Sequence, residues 1–311
     1  MQKFILLAGL CAIFADTCVA SKKLACVYQS NSDEIGANPF DILRDIDTQL
    51  CNQIIYSSLK PTPVSLTSCD ERKFQAFAEI KKSHPELQTF LEVDLSTAGS
   101  QIFTPENLKI FIPSVIEHLV IGNFDGLNIK WVAEKSSSEL NIKQLFIAFI
   151  KELKRELGQR QLSLSVSAAQ SDIIKSYDFS ELSKYVDFFY VMSFDLDRQS
   201  SSNGQAQFPN VKKAMQFFAD KGVAKEKFLM GISSYGYGAQ QAIIPKFQEF
   251  SHPPEEAYFD SAETIEAKAN FIKNSEYGGV IVKALNLDDF NGKAGKGNYP
   301  VIQHIHDIIL D

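Results

Sequence analysis

The chain is predicted to be α/β, a closed (β/α)8 TIM barrel, on three observations. Short β-rich runs alternate with helical patterns from Lys23 onward, the alternation yields eight βα units in one chain, and the longest interruption, Ser234–Phe259, is too short and polar to be a second domain. The strand candidates are Leu24–Tyr28, Gln53–Ser58, Thr89–Asp94, Phe124–Val132, Leu162–Ala168, Asp187–Phe194, Lys227–Ser233 and Gly279–Leu285. Helices are expected near 40–50, 70–83, 104–120, 140–157, 177–185, 209–221, 260–274 and 299–310.

The helices follow ordinary start and stop rules. Thr104 caps a helix with Pro105 at its first position, and Leu108, Phe111, Ile112, Val115, Ile116 and Leu119 keep its 3.6 period, with Pro113 expected to kink it. In the next helix Ile142, Phe146, Phe149, Ile150, Leu153 and Leu157 form the buried face and Lys143, Lys151, Lys154 and Arg155 the wet one. Gly158 and Gly222 are natural helix stops.

The N-terminus carries Lys3, the apolar run Phe4–Phe14, and small residues at Cys18 and Ala20, so residues 1–20 read as a secretory signal and 21–311 as the mature barrel. No later run approaches the ~20 apolar residues of a membrane span, and the protein is expected outside the cell. The net charge of −7 contains no basic block, which argues against nucleic acid or an anionic membrane surface as partner. Removing the signal leaves Cys26, Cys51 and Cys69, enough for one bridge and one leftover thiol, taken to be Cys69. The five histidines are scattered and no Cys-x-x-Cys occurs, so neither a metal nor another cofactor is expected.

The stretch Phe124–Val132 breaks its own chemistry. Asn128, Lys130 and Val132 share one strand face while Leu127, Ile129 and Trp131 form the other, so a lysine points into a buried barrel. This stretch resembles the signature strand of glycoside hydrolase family 18, the chitinases, with pattern Asp-Gly-x-Asp-x-Asp-x-Glu. Val191–Asp195 is similar to that family's Met-x-Tyr-Asp strand, Gly231–Gly236 to its Gly-x-x-x-Tyr-Gly strand, and Gly278–Phe290 to its last strand and following loop. The resemblance implies the (β/α)8 fold and a Cys26–Cys51 disulfide. It also implies that the family's small α+β insertion after the seventh strand is largely absent, because only about two dozen residues separate Tyr237 from Phe259.

The same alignment implies no catalytic residues. The family's proton-donating Glu falls at Val132, the Asp that assists attack by the substrate's own N-acetyl group at Lys130, the innermost Asp at Asn128, and the Tyr on the sixth strand at Phe194. Glu134 lies two residues further along, ~6.6 Å away on a strand, where a ~1 Å error already costs about a hundredfold. Aromatic platforms are stripped as well: the last-strand Trp position is Lys283, and Asn31, Ser58 and Ser96 occupy strand ends where the family places aromatics. Trp131, the only tryptophan, points outward by parity.

Candidate ligand-binding residues are Tyr28, Glu92, Asp94, Lys130, Met192, Asp195, Tyr235 and Lys283, with core packing the other reading of Tyr28 and strand-end packing that of Tyr235. Lys130 invites two readings: an ion network with Glu92, Asp94 or Asp195, or a polar pocket for an anionic or hydroxyl-rich ligand. Asp125, Asp288 and Asp289 match family positions and are expected to anchor backbone. The chain thus reads as a secreted, monomeric, non-catalytic chitinase-like protein binding a chitooligosaccharide-like glycan or an extracellular protein in signalling, growth or defence. A repurposed glycoside hydrolase using Glu92, Asp94 or Asp195, and a storage or structural barrel, are the alternatives.

Overall fold

The computed structural model describes residues 21–33, 39–66, 70–96, 98–133, 139–194, 196, 207–238, 242–251 and 257–310. Ten strands, β1 Lys23–Gln29, β2 Gln53–Leu59, β3 Gln88–Asp94, β4 Gly126–Lys130, β5 Gln161–Ser167, β6 Phe188–Met192, β7 Phe228–Ser233, β8 Gly236–Tyr237, β9 Ile243–Ile244 and β10 Gly279–Lys283, appear among them. Eight close into a parallel barrel in the order β1-β10-β7-β6-β5-β4-β3-β2. The remaining pair, β8 and β9, forms a small antiparallel ribbon in the segment after β7. It stands where the family resemblance would place a full insertion.

The helices are α1 Ile42–Asp45, α2 Glu71–Ser83, α3 Pro105–Ile121, α4 Glu139–Leu157, α5 Gln170–Ser176, α6 Phe179–Leu182, α7 Phe208–Ala219, α8 Lys246–Ser251, α9 Ala262–Lys273 and α10 Pro300–Ile309. Thr104 accepts the amide of Asn107 at the start of α3, and the helix runs unbroken through Pro113. Both Pro113 and Lys109, whose carbonyl loses its donor there, are exposed, so water can replace the bond. Two expectations change. The helix expected over 40–50 shortens to α1, because Asp47 accepts the amide of Gln49 (2.9 Å) in a local turn that competes with helix. The helix expected over 177–185 shrinks to α6, and α5 takes up a segment expected as loop, with Ser167 accepting the Ala169 amide (3.1 Å) at its entry.

Alternation divides each strand between two cores. Ala25, Val27, Ile55, Phe90, Tyr190, Leu229 and Ile281 fill the barrel. Leu24, Cys26, Leu127, Ile129 and Trp131 face the helices, with Trp131 stacked on Phe146 at 4.4 Å between ring centroids. Cys26 is bonded to Cys51, tying β1 to the approach of β2.

Candidate functional site

Parallel pairing sets β3 and β4 level, Glu92 beside Asn128 and Asp94 beside Lys130. Their side chains meet at the C-terminal end of the barrel, the end on which sites form in this architecture. Lys130 Nζ lies 3.0 Å from Asp94 Oδ2, and its side chain is 30% exposed against 6% for Asp94. Burial pushes the Asp94 carboxyl up, yet the Lys130 ammonium and the hydrogen bonds from Ser96 outweigh it, and the group ends below the usual carboxylate range. Of the two described acids considered for Lys130, Glu92 and Asp94, the barrel register brings Asp94 to it.

Glu92 is one step deeper and is held by neutral donors. It accepts Ser57 Oγ at 2.8 Å, Asn128 Nδ2 at 2.7 Å and Ser165 Oγ at 3.2 Å. Asn128 is fixed from below by Ser163 Oγ, which donates to its Oδ1 at 3.1 Å. Deeper still, Tyr190 Oη donates to Gln53 Oε1, and Gln53 Nε2 to Gln88 Oε1. Ser57, Ser165 and Tyr190 were not singled out from sequence. Their signal was inward parity: Ser163, Ser165 and Ser167 alternate with apolar residues along β5.

On the opposite side of the mouth, Lys283 Nζ sits 5.3 Å from the centroid of the buried Phe194 ring, and Met192 is half-buried beside them. Val132, just past β4, is half-buried and brings no polar atom. Ser57, Glu92, Lys130, Met192, Phe194 and Lys283 are among the residues around a depression of only about 20 Å³. That is space for roughly one water, which needs ~10–15 Å³.

The structure therefore gathers Glu92, Asp94, Asn128, Lys130, Met192, Phe194 and Lys283, and separates the two tyrosines from them. Tyr28, open between groove and core, turns to the outer layer, where it packs on Phe40, Tyr56 and Phe77 and donates to Asp33. Tyr235, open between rim contact and strand-end packing, is 2% exposed and packs against Tyr237, Ala284 and Leu287. Asp195, Glu134, Cys69 and the signal segment lie outside the described residues. Asp125 accepts the Thr89 amide, Asp288 the amides of Val301 and Ile302, and Asp289 those of Lys293 and Ala294, so all three anchor backbone. Among the described residues, no group of three His, Cys, Asp or Glu side chains is placed to hold a metal, and no helix is long and apolar enough to cross a membrane.

An eight-stranded parallel barrel whose inward strand-end residues converge on one mouth defines a TIM-barrel protein. The family is specific: the model of Glycosyl hydrolases family 18 matches residues 23–288, and the chain belongs to that family. It is 26% identical to human Chitinase-3-like protein 2 over 356 positions, covering 91% of each chain. An alignment that long across 91% of 311 residues requires segments in the relative that this chain lacks. Among solved structures, the Group IV chitinase of Ostrinia furnacalis shares the fold with a TM-score of 0.82 at 22% identity, over 94% of this chain and 100% of that one. Human YKL-39, described as a pseudo-chitinase with retained chitooligosaccharide binding, shares it with a TM-score of 0.75 at 22% identity, over 92% of this chain and 99% of its own.

Proposed function

We propose that this chain is a secreted, non-catalytic chitinase-like protein whose barrel mouth engages a glycan without cleaving it. The observation that carries the reading is the chemistry of β4: where the family resemblance places the proton donor there is Val132, and the inward residue before it is a lysine paired with Asp94 at 3.0 Å. A valine has no proton to give. An ammonium beside the reacting carbon opposes the positive charge that builds there in glycoside cleavage. Glu92 is no substitute, because it is buried in the floor of the mouth and held there by three neutral donors. Binding without hydrolysis has a precedent in human YKL-39, a pseudo-chitinase with retained chitooligosaccharide binding.

The narrow mouth favours a second reading, in which the partner is an extracellular protein that covers the rim. Two measurements decide among these. Incubation with N-acetylglucosamine tetramer from pH 3 to pH 8 is expected to give no turnover, and Val132→Glu alone is expected to restore none. Turnover abolished by Glu92→Gln would overturn the non-catalytic reading. Calorimetry with the same tetramer is expected to show weak, saturable binding; no heat together with capture of a defined extracellular protein would favour the second reading. N-terminal sequencing of protein recovered from medium is expected to begin at Ser21.

A further inference from the structure

Among the described residues, the large apolar side chains left exposed are Leu43, Ile110, Val120, Ile121 and Ile174, and three of these five share one helix, α3. Ile110 is 52% exposed, Val120 60% and Ile121 43%. They belong to one stripe, because the exposed positions Lys109, Ile110, Pro113, Glu117, Val120 and Ile121 keep the three- and four-residue spacing of a single helix face. The helices packed on either side of α3 differ. α2 turns Arg72, Gln75 and Glu79 to water and α4 turns Gln144, Lys151 and Arg155, and no large apolar side chain is exposed among the described residues of either. An apolar stripe with a polar margin on both sides has the anatomy of a contact surface.

The charges on the stripe say what covers it. Lys109 and Glu117 are opposite in sign and stand four residues, ~6 Å along the axis, on either side of Pro113. Neither has an ion-pair partner among the described residues. Such a pattern is complementary to itself: a two-fold axis at Pro113 sets each lysine against the glutamate of the other copy, as an isologous contact requires. We propose that, in place of the expected monomer, the chain forms a two-fold homodimer through α3, the two helices antiparallel across Pro113 with Lys109 of each copy against Glu117 of the other. Ile110 packs beside the axis, Val120 and Ile121 cover the first turn of the facing helix, and Pro113 brings a ring with no N–H to desolvate. Glu106 lies at the edge, in the first turn of its own helix, where a carboxylate is favoured. α3 has 17 residues and is ~25 Å long. One such face buries less than the ~800 Å² per partner of a standard interface, so the dimer is weak and forms with rising concentration. Both barrel mouths stay open and face opposite ways, so self-association is independent of the glycan reading.

Sedimentation velocity on the full mature chain, from about 5 μM to about 500 μM, reads the association. The average mass is expected to climb from one chain toward two across that range. Ile110→Ser with Val120→Ser should weaken association at least tenfold. Lys109→Glu and Glu117→Lys should each do the same, because the two-fold makes every substitution count twice and like charges then meet. Combining the two charge reversals should restore the parent's affinity to within about threefold, a recovery that a mere change in surface charge does not produce. All four positions are exposed, so the urea midpoints of the variants should match the parent's. A chain that stays monomeric throughout, whether or not it binds zwitterionic lipid vesicles through the same stripe, would overturn the dimer. So would association indifferent to Ile110→Ser with Val120→Ser, or association that the combined charge reversal fails to restore.

Discussion

Two buried aspartates, one at the barrel mouth and one in the loop before α10, show how differently one side chain behaves at similar burial. Asp94 is 4% exposed and Asp288 1% exposed. The Lys130 ammonium stands 3.0 Å from Asp94 and its carboxyl falls below the usual range. Asp288 is held chiefly by the amides of Asp289, Val301 and Ile302, with Lys246 contributing only at a distance. There burial wins, and the carboxyl is pushed up to about 7. A direct cation is what separates the two, because amide dipoles offset only part of the cost of removing a full charge from water.

The largest expected effect comes from removing that cation. Lys130→Met should destabilise the chain by about 3 kcal/mol, since it leaves a buried carboxylate unpaired. Adding Asp94→Asn should recover most of the loss in urea denaturation. A Lys130→Met chain as stable as the parent would mean that Ser96 and solvent suffice for Asp94, and the contrast with Asp288 would collapse.

Next is the pH dependence, where the two regions have opposite sign. The raised Asp288 carboxyl makes the folded chain hold more protons than the unfolded one between about pH 4 and pH 7, so its contribution falls as pH rises through that window and is level above it. The lowered Asp94 carboxyl contributes stability that is complete above about pH 4 and is lost on further acidification. Between pH 5 and pH 8 the parent should lose on the order of 2 kcal/mol that Asp288→Asn does not lose, read as the difference in urea midpoints. Identical pH profiles for parent and variant would show that the amides around Asp288 hold its charge as well as Lys130 holds that of Asp94.

The smallest effects sharpen the comparison within each region. Ser57→Ala removes one donor to Glu92, and Asp289→Asn weakens the grip on the Lys293 and Ala294 amides; each should cost about 1 kcal/mol by thermal or urea unfolding. A Ser57→Ala loss well above that would mean the neutral network, more than the Asp94–Lys130 pair, sets the stability of the mouth.

Much of this was legible beforehand. The eight barrel strands fall inside or within a residue or two of their expected runs, because strands buried on both faces form short apolar stretches bounded by polar turns. On β4 parity was readable, since Asn128 and Lys130 alternate with Leu127 and Ile129. On β1 it was not. Leu24–Tyr28 is apolar at every position, so period two is silent and left Tyr28 open between groove and core; it packs on the helices. The same silence along Phe188–Met192 hid Tyr190, which points into the barrel. For Tyr235 strand-end packing and the rim were both open, and packing holds because it meets Ala284 and Leu287, a contact between segments about 50 residues apart.

The sequence by itself determined the barrel, the inward lysine on β4 and the valine at the position matching the family's acid. These follow from local periodicity and from motifs a few residues long. Only the tertiary structure decided that Lys130 meets Asp94 while Glu92 is shared among Ser57, Asn128 and Ser165, that Lys283 faces Lys130 across the mouth, and that the opening is about 20 Å³. Those facts depend on the register and closure of eight strands drawn from the whole chain. A shift of a single residue would have turned every inward side chain outward.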